Sequence, residues 1–262
     1  PECETELVRQ EGEAQHYCPN YNGCNPQIIG RIQHFISRKA MDIDGLGGET
    51  VALLVKEGLI NNYSDLYELT EEQVIPLERM AEKSADNLIN GITESKNIPF
   101  ERVLYALGIR YVGETVAKKL AKHYKSIDAI ANATEEELVN VDEIGVKIAE
   151  SVVLFFSSQE NSFIINRLKQ FGVQLEMSAE QLIGQTNILE GQSIVITGVF
   201  ESISRNELKK LIEDNGGKVS SSISSKTSYI IAGDNMGPSK KEKAQKLNIL
   251  LINEYEFLQK LK

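Results

Sequence analysis

The sequence lacks any apolar stretch that approaches the length needed to cross a membrane. It also lacks a secretory signal, because its first six residues offer neither a basic start nor an apolar core. Apolar residues make up 41% and charged residues 25% of the 262 residues, which is typical of a soluble globular protein with two or three small domains. We therefore expect a cytoplasmic protein without a membrane partner, or a chain that starts within a longer one.

Cysteine is scarce, and its three copies all lie within the first two dozen residues. An odd number cannot pair completely, and a cytosolic setting would keep the thiols reduced, so their crowding indicates a metal site. Fourteen residues separate Cys3 from Cys18, and five separate Cys18 from Cys24. This spacing brings thiolates together when two knuckle-like turns face each other, as in a structural zinc site.

A closed zinc site needs four ligands, and the sequence offers three cysteines. Either His16 supplies the fourth, or a cysteine precedes Pro1 in a longer chain. The second alternative fits better, since that cysteine would complete a Cys-x-x-Cys knuckle with Cys3, whereas His16 lies too close to Cys18 for an unstrained reach. We predict a zinc finger over residues 1–28, with weak or no zinc binding where the upstream cysteine is missing.

Basic residues are too few for a nucleic-acid partner held by bulk charge, because the formal net charge is -10. The excess acid lies between Pro1 and Leu189, with 17 basic and 29 acidic residues, whereas the rest of the chain has 11 and 9. Any DNA contact in the acidic part must therefore depend on local backbone geometry.

Residues 29–184 contain four copies of one pattern. An apolar residue stands three positions before each reference residue, a small residue one position after it, and further apolar residues five and eight positions after it. The spacing predicts two helices joined by a tight turn, packed through one face of the second helix, which is a helix-hairpin-helix motif in an all-α domain. In this order, the aligned residues are Ile43, Leu46, Gly47, Val51 and Leu54; Leu77, Met80, Ala81, Ala85 and Leu88; Ile109, Val112, Gly113, Ala117 and Leu120; and Val141, Ile144, Gly145, Ala149 and Val152.

Each such turn leaves backbone N–H groups free at the start of the second helix, where the helix dipole favours an anion. Glycine there can accept an unusual backbone and lets a phosphate approach closely. Glycine turns also join helices in folds that bind no ligand, and a solvated helix face would also explain the nearby lysines. The repetition of the turn nevertheless favours a DNA-binding role. The second copy has no glycine and is interpreted as a packing copy. The predicted DNA-binding residues are Gly45, Leu46, Gly47, Val112, Gly113, Lys118, Lys119, Lys122, Gly145 and Lys147.

From about Glu190 the pattern changes to short apolar strands that alternate with amphipathic helices. Glycine at Gly216 or Gly217 stops the first helix with a left-handed cap. The alternation predicts an α/β domain over residues 185–262, with a parallel sheet covered by helices on both faces. Strands are predicted over 192–197, 218–220, 228–231 and 249–252, and helices over 205–214, from about Ser239, and from Asn253.

This last segment resembles a BRCT domain, with Thr197-Gly198 after the first strand, the Gly216-Gly217 pair, and Phe257 where that family usually has tryptophan. With the zinc knuckle and the four hairpins, the whole chain resembles the carboxy-terminal part of bacterial NAD-dependent DNA ligases. The resemblance implies a monomeric clamp on duplex DNA, independent of sequence, for sealing nicks between a 5'-phosphate and a 3'-hydroxyl in replication and repair.

In that family an upstream adenylation domain performs nucleotidyl transfer with the lysine of a Lys-x-Asp-Gly motif. Here Asp44-Gly45 has no lysine in the required place and belongs to the first hairpin. We therefore expect no catalytic residue in this chain. The resemblance implies that the adenylation and OB domains, with NAD and magnesium, lie outside it.

A phosphate pocket is predicted where Thr197 and Gly198 would meet Lys240 and Lys243, although Thr-Gly after a strand is also ordinary turn chemistry. Such a pocket would suit an alternative function, a non-enzymatic repair scaffold that binds DNA through the hairpins and a phosphorylated partner through the BRCT domain.

A polymerase or excision nuclease would need clustered carboxylates for two metal ions. The acidic runs that begin at Glu71 and Glu135 instead follow Thr70 and Thr134. This order predicts capped helix starts, where the dipole favours acids.

Overall fold

The computed structural model describes residues 1–9, 12, 14–78, 80–182, 186 and 188–261, and of residue 180 the backbone only. The chain forms two compact units, Pro1–Met177 and Ser178–Lys262. The three-part division with limits at residues 28 and 184 stays a prediction, and residue 184 lies outside the described residues. Among the described residues, no helix is long and apolar enough to span a membrane.

The first unit is built from helices, as the periodicity predicts. One continuous apolar core runs from Ile28 to Leu175. The helices are α1 (Asn25–Ile36), α2 (Gly48–Lys56), a 3-10 helix (Tyr63–Glu68), α3 (Glu71–Val74), α4 (Glu82–Ser95), α5 (Phe100–Ala106), α6 (Glu114–Tyr124), α7 (Ile127–Ala131), α8 (Glu135–Val139), α9 (Val146–Ser157) and α10 (Gln159–Gln170).

A helix begins after each of the four aligned turns, namely α2, α4, α6 and α9. In every copy the residue five positions after the reference residue donates its N–H to the carbonyl of the N-cap residue, at 2.9 to 3.1 Å. The side chains five and eight positions after the reference are all fully buried. The prediction that this face of the second helix packs into the core is therefore confirmed.

The first hairpin packs directly on the second. Gly91 lies within α4, and a Cβ atom added there would stand 2.4 Å from the carbonyl oxygen of Asp44. Gly45 makes the complementary approach, since its Cβ would lie 3.2 Å from the backbone nitrogen of Leu88. Backbone therefore meets backbone where α4 crosses the first turn.

The acidic helix starts are capped as predicted. The Thr134 hydroxyl accepts the N–H of Glu137, and the Glu137 carboxylate accepts the N–H of Thr134. At α3, Thr70 and Gln73 form the same reciprocal cap. Helix capping thus accounts for these acids without a metal ion.

The second unit contains a parallel sheet with the predicted strands. The strand order is β2-β1-β3-β4, and Val195 of β1 pairs with Ser220 of β2 on one side and Ile230 of β3 on the other. The elements are α11 (Ala179–Leu182), β1 (Ser193–Thr197), α12 (Arg205–Asp214), β2 (Lys218–Ser220), β3 (Tyr229–Ala232), α13 (Pro238–Lys246), β4 (Leu250–Ile252) and α14 (Glu254–Lys260).

Helices cover both faces of this sheet, as predicted. Leu208 of α12 and Phe257 of α14 belong to the apolar cluster on one face, and Ala244 of α13 belongs to the cluster on the other. Phe257 is fully buried, so the smaller aromatic still fills the core. Gly216 has φ +86°, which confirms the predicted left-handed cap after α12.

Candidate metal centre and nucleic-acid interface

The three cysteines come together at the start of the first unit. Their sulfur atoms lie within 4.8 Å of one another, and Sγ of Cys3 lies 3.5 Å from Sγ of Cys18. Zinc–sulfur bonds of about 2.3 Å in a tetrahedral site place the sulfur atoms about 3.8 Å apart. The thiols therefore fit a zinc ion, and Cys24 is fixed as the N-cap residue of α1.

The thiols differ in their readiness to ionise. Hydrogen bonds from the Thr5 hydroxyl and backbone N–H lower the pKa of Cys3 to about 6, whereas burial raises the pKa of Cys24. Metal binding requires thiolates, so the lowered pKa of Cys3 favours coordination by this residue. His16 is exposed and does not join this cluster of described side chains. The structure therefore does not support His16 as the fourth ligand.

The glycines after the reference residues have an ordinary backbone. Gly47, Gly113 and Gly145 are N-cap residues with φ of -91°, -81° and -88°. The idea that they accept an unusual conformation is wrong. The left-handed residue stands two positions earlier, at Gly45, Tyr111 and Glu143, with φ of 78°, 64° and 65°.

These N-cap glycines are also not required by packing. A Cβ atom at Gly47, Gly113 or Gly145 would meet no atom within 4 Å, and all three residues are exposed. No described side chain caps α2, α6 or α9. Each helix therefore presents its first N–H groups beside an open position without a side chain, which is the geometry that admits a phosphate.

The remaining predicted turn residues have structural roles. Gly45 adopts the left-handed conformation and packs against α4, so the fold itself requires glycine there. Leu46 and Val112 are 6% and 5% exposed, and their side chains lie in the core. Any DNA contact at these two positions would come from the backbone. Arg79 of the second copy lies outside the described residues, and its turn ends at Ala81 in place of glycine.

Three family models match separate parts of the chain. The NAD-dependent DNA ligase C4 zinc finger domain matches residues 1–25, the helix-hairpin-helix motif matches residues 102–165, and the BRCA1 C Terminus (BRCT) domain matches residues 184–259. A DNA ligase of Christiangramia forsetii is 71% identical over the whole chain. DNA ligases of Flavobacterium psychrophilum and Flavobacterium johnsoniae are 67% and 64% identical over 98% and 100% of it.

The first 25 residues match a domain of NAD-dependent DNA ligases, and the whole chain is similar to the DNA ligases of these organisms. The chain spans 39% of the length of each of these three relatives. The helix-hairpin-helix match includes the third and fourth turns, where Gly113 and Gly145 lie.

The sequence Asp42 to Gly45 is part of the first turn, as expected, and not a nucleotidyl-transfer motif. Asp42 has φ +51° and pairs with Arg102 at 3.6 Å. Asp44 packs against Gly91. These acids therefore contribute to the structure of the first hairpin.

The predicted DNA-binding lysines differ in their surroundings. Lys118 and Lys147 are exposed, and Lys122 is half-buried. Lys119 of α6 instead pairs with Glu143 at 2.7 Å and Asp142 at 3.4 Å. It ties the third hairpin to the fourth turn, so its positive charge is already matched.

Sequence reasoning did not find Lys39, Arg102 and Arg110. Lys39 pairs with Glu114, the first residue of α6, at 2.7 Å, and Glu114 raises the pKa of Lys39. Arg110 lies two positions before Val112, where the other three copies have acids. That exception in the alignment is a signal that could have identified it.

Thr197 and Gly198, two residues of the predicted BRCT phosphate pocket, have roles in the packing of the second unit. Thr197 is only 4% exposed, and Gly198 has φ +94° with its Cβ position 2.5 Å from the Gly233 carbonyl oxygen. Backbone packing therefore explains the glycine. Lys240 and Lys243 lie on α13. The pocket stays a prediction.

Proposed function

We propose that this chain is the DNA-gripping part of a bacterial NAD-dependent DNA ligase, which holds a nicked duplex while an adenylation domain seals it. The observation that carries the proposal is the set of three N-cap glycines, Gly47, Gly113 and Gly145, which neither conformation nor packing requires. The relatives are named DNA ligases, which supports nick sealing as the activity of the intact enzyme, and we propose replication and repair as its setting.

Phosphate is the group that suits these turns. Backbone N–H groups and the helix dipole attract an anion without a basic side chain, so a net charge of -10 is compatible with DNA binding. Contacts to phosphate carry no base information, so binding should be independent of sequence and should weaken with salt. Lys118, Lys122 and Lys147 would add positive charge near the third and fourth turns.

Zinc would complete the amino-terminal finger. Cys3, Cys18 and Cys24 would hold it together with one further ligand, and zinc bound there would supply folding free energy and no catalytic chemistry. The pairing of Val8 with Tyr17 and the position of Cys24 at α1 would then be fixed relative to each other.

The other parts of the proposal concern the intact enzyme. NAD and magnesium would bind to the adenylation domain, the chain would act as a monomer, and it would have no catalytic activity alone. A ligase of the bacterial chromosome would work in the cytoplasm.

Substitution of the N-cap glycines tests the clamp. Gly113→Val combined with Gly145→Val should weaken duplex binding about tenfold or more, since each lost phosphate removes charged hydrogen bonds that contribute about 1.5–3 kcal/mol. Gly237→Val is the matched control, because Gly237 is also an N-cap glycine with open space, but it begins α13 in the second unit. Affinity would be measured by fluorescence anisotropy on a nicked duplex at several salt concentrations, with helix content followed by circular dichroism.

Equal affinity for the double variant and the chain with its original glycines would show that the hairpins only pack. An equal loss in the Gly237 variant would show that the effect arises from changing any helix cap. Metal analysis tests the zinc assignment separately, since replacing all three cysteines with serine should abolish zinc binding by the intact protein.

A further inference from the structure

The amino-terminal finger and the third hairpin contact each other through aromatic side chains and one arginine. Tyr17 stands immediately before the predicted zinc ligand Cys18. Its backbone N–H and carbonyl pair with Val8 at 2.7 and 2.8 Å, so the ribbon of the finger fixes its position. Its ring is half-buried, and its hydroxyl donates to Oε1 of Gln15.

Arg110 connects this ring to the third turn. Its guanidinium carbon lies 4.8 Å from the centre of the Tyr17 ring and 5.0 Å from the centre of the Tyr111 ring. The guanidinium thus contacts one aromatic ring of the finger and one of the hairpin. Both distances are within the range of an attractive cation–π contact.

Tyr111 is the residue of the third turn that needs support. Its φ of 64° is costly for a large side chain, and its ring is 45% exposed. Two positions later Gly113 begins α6. A contact that holds Tyr111 in this conformation therefore also sets the direction of the N–H groups at the start of α6.

We infer that Tyr17 is a positioning residue for DNA binding, and that the Tyr17–Arg110–Tyr111 stack couples the metal centre to the third hairpin. Zinc orders the ribbon that carries Tyr17, Tyr17 holds Arg110, and Arg110 holds the left-handed Tyr111 beside Gly113. This inference rests on the proposed DNA clamp and adds that zinc occupancy raises the affinity of one particular turn.

Paired variants at Tyr17 test the coupling in the intact protein. Tyr17→Leu removes the cation–π contact and should weaken binding of a nicked duplex about two- to fivefold. Tyr17→Phe keeps the ring, removes the hydroxyl that donates to Gln15, and should bind DNA as tightly as the original protein. Zinc content measured on every sample would show that the finger still folds, and loss of zinc from Tyr17→Leu alone would overturn the assignment of a positioning role.

Two further comparisons separate coupling from direct DNA contact by Tyr17. In an Arg110→Ala background, Tyr17→Leu should cause no additional loss of affinity. Chelation of zinc should weaken binding by the original protein and leave Tyr17→Leu nearly unchanged. Additive losses in the double variant, or equal effects of chelation on both proteins, would overturn the coupling. Gly113→Val serves as reference, since unchanged affinity in that variant would instead refute the clamp itself.

Discussion

Two glycines within helices should respond to alanine with opposite signs. Alanine is more favourable than glycine inside a helix by about 1 kcal/mol. Gly30 of α1 is exposed and has no atom within 4 Å of its Cβ position, so Gly30→Ala should stabilise the first unit by about that amount. Gly91 of α4 faces the carbonyl oxygen of Asp44, and there the gain should be outweighed.

The size of the opposing effect follows from the contact. A Cβ atom at Gly91 would lie 2.4 Å from the Asp44 oxygen and 3.2 Å from its carbonyl carbon and nitrogen. These are backbone atoms, so no side-chain rotation can relieve the overlap. Overpacking costs up to about 3 kcal/mol, and the helix propensity of alanine offsets about 1 kcal/mol of this cost. Gly91→Ala should therefore be about 2 kcal/mol less stable than the original protein.

Urea unfolding followed by circular dichroism would measure both variants. The midpoint should rise for Gly30→Ala and fall for Gly91→Ala, and duplex affinity should also fall for Gly91→Ala because Asp44 belongs to the first turn. Stabilisation of Gly91→Ala by as much as Gly30→Ala would refute the direct packing of α4 on that turn.

Four other changes test separate parts of the fold by urea unfolding or duplex binding. Arg167→Ala should lower the free energy of unfolding by about 3 kcal/mol, because Arg167 is 13% exposed and pairs with Asp65 of the 3-10 helix. Lys169→Ala breaks an exposed pair and should lower it by less than about 1 kcal/mol. Equal losses in the two variants would contradict the difference in burial. Burial raises the pKa of Tyr229 to about 12 in the folded protein, whereas the pKa of an unfolded tyrosine is about 10. The neutral phenol therefore stabilises the second unit fully below about pH 10, and this stability should be lost as the pH rises towards 12. Tyr229→Phe should remove that dependence and cost nothing at neutral pH, since the hydroxyl has no described partner; an unchanged pH profile would contradict the assignment. Deletion of residues 190–262 should weaken duplex binding less than disruption of the hairpins does, and complete loss of binding would reverse the ranking of the two units.

The hairpin pattern was predictable because its spacing reflects burial. Residues such as Val51 and Leu54 recur at fixed distances from the turn since they must reach the core on one helix face. The strands of the second unit were predictable for a similar reason, because short apolar runs such as Ser193–Thr197 form a sheet that is covered on both faces.

The backbone conformation of the turns was harder to predict from the sequence. Glycine suggested a left-handed residue at Gly113, but the left-handed residue is Tyr111, whose residue type disfavours that conformation. The packing requirement for Gly198 was not predictable either, since the backbone that it approaches belongs to Gly233, far along the chain.

The ion pairs between hairpins would explain how an acidic unit could present the proposed phosphate-binding turns to DNA. Exposed pairs contribute little to stability, so their importance lies in the local field. Each pairs an acid at or beside one turn with a base from another hairpin, and thereby reduces the repulsion that a phosphate would meet. The pairs are Arg102 with Asp42, Lys39 with Glu114, and Lys119 with both Asp142 and Glu143. Net charge sums over residues without regard to position, so a value of -10 does not describe the field at the turns, where bases offset the nearest acids and the backbone N–H groups remain as the donors.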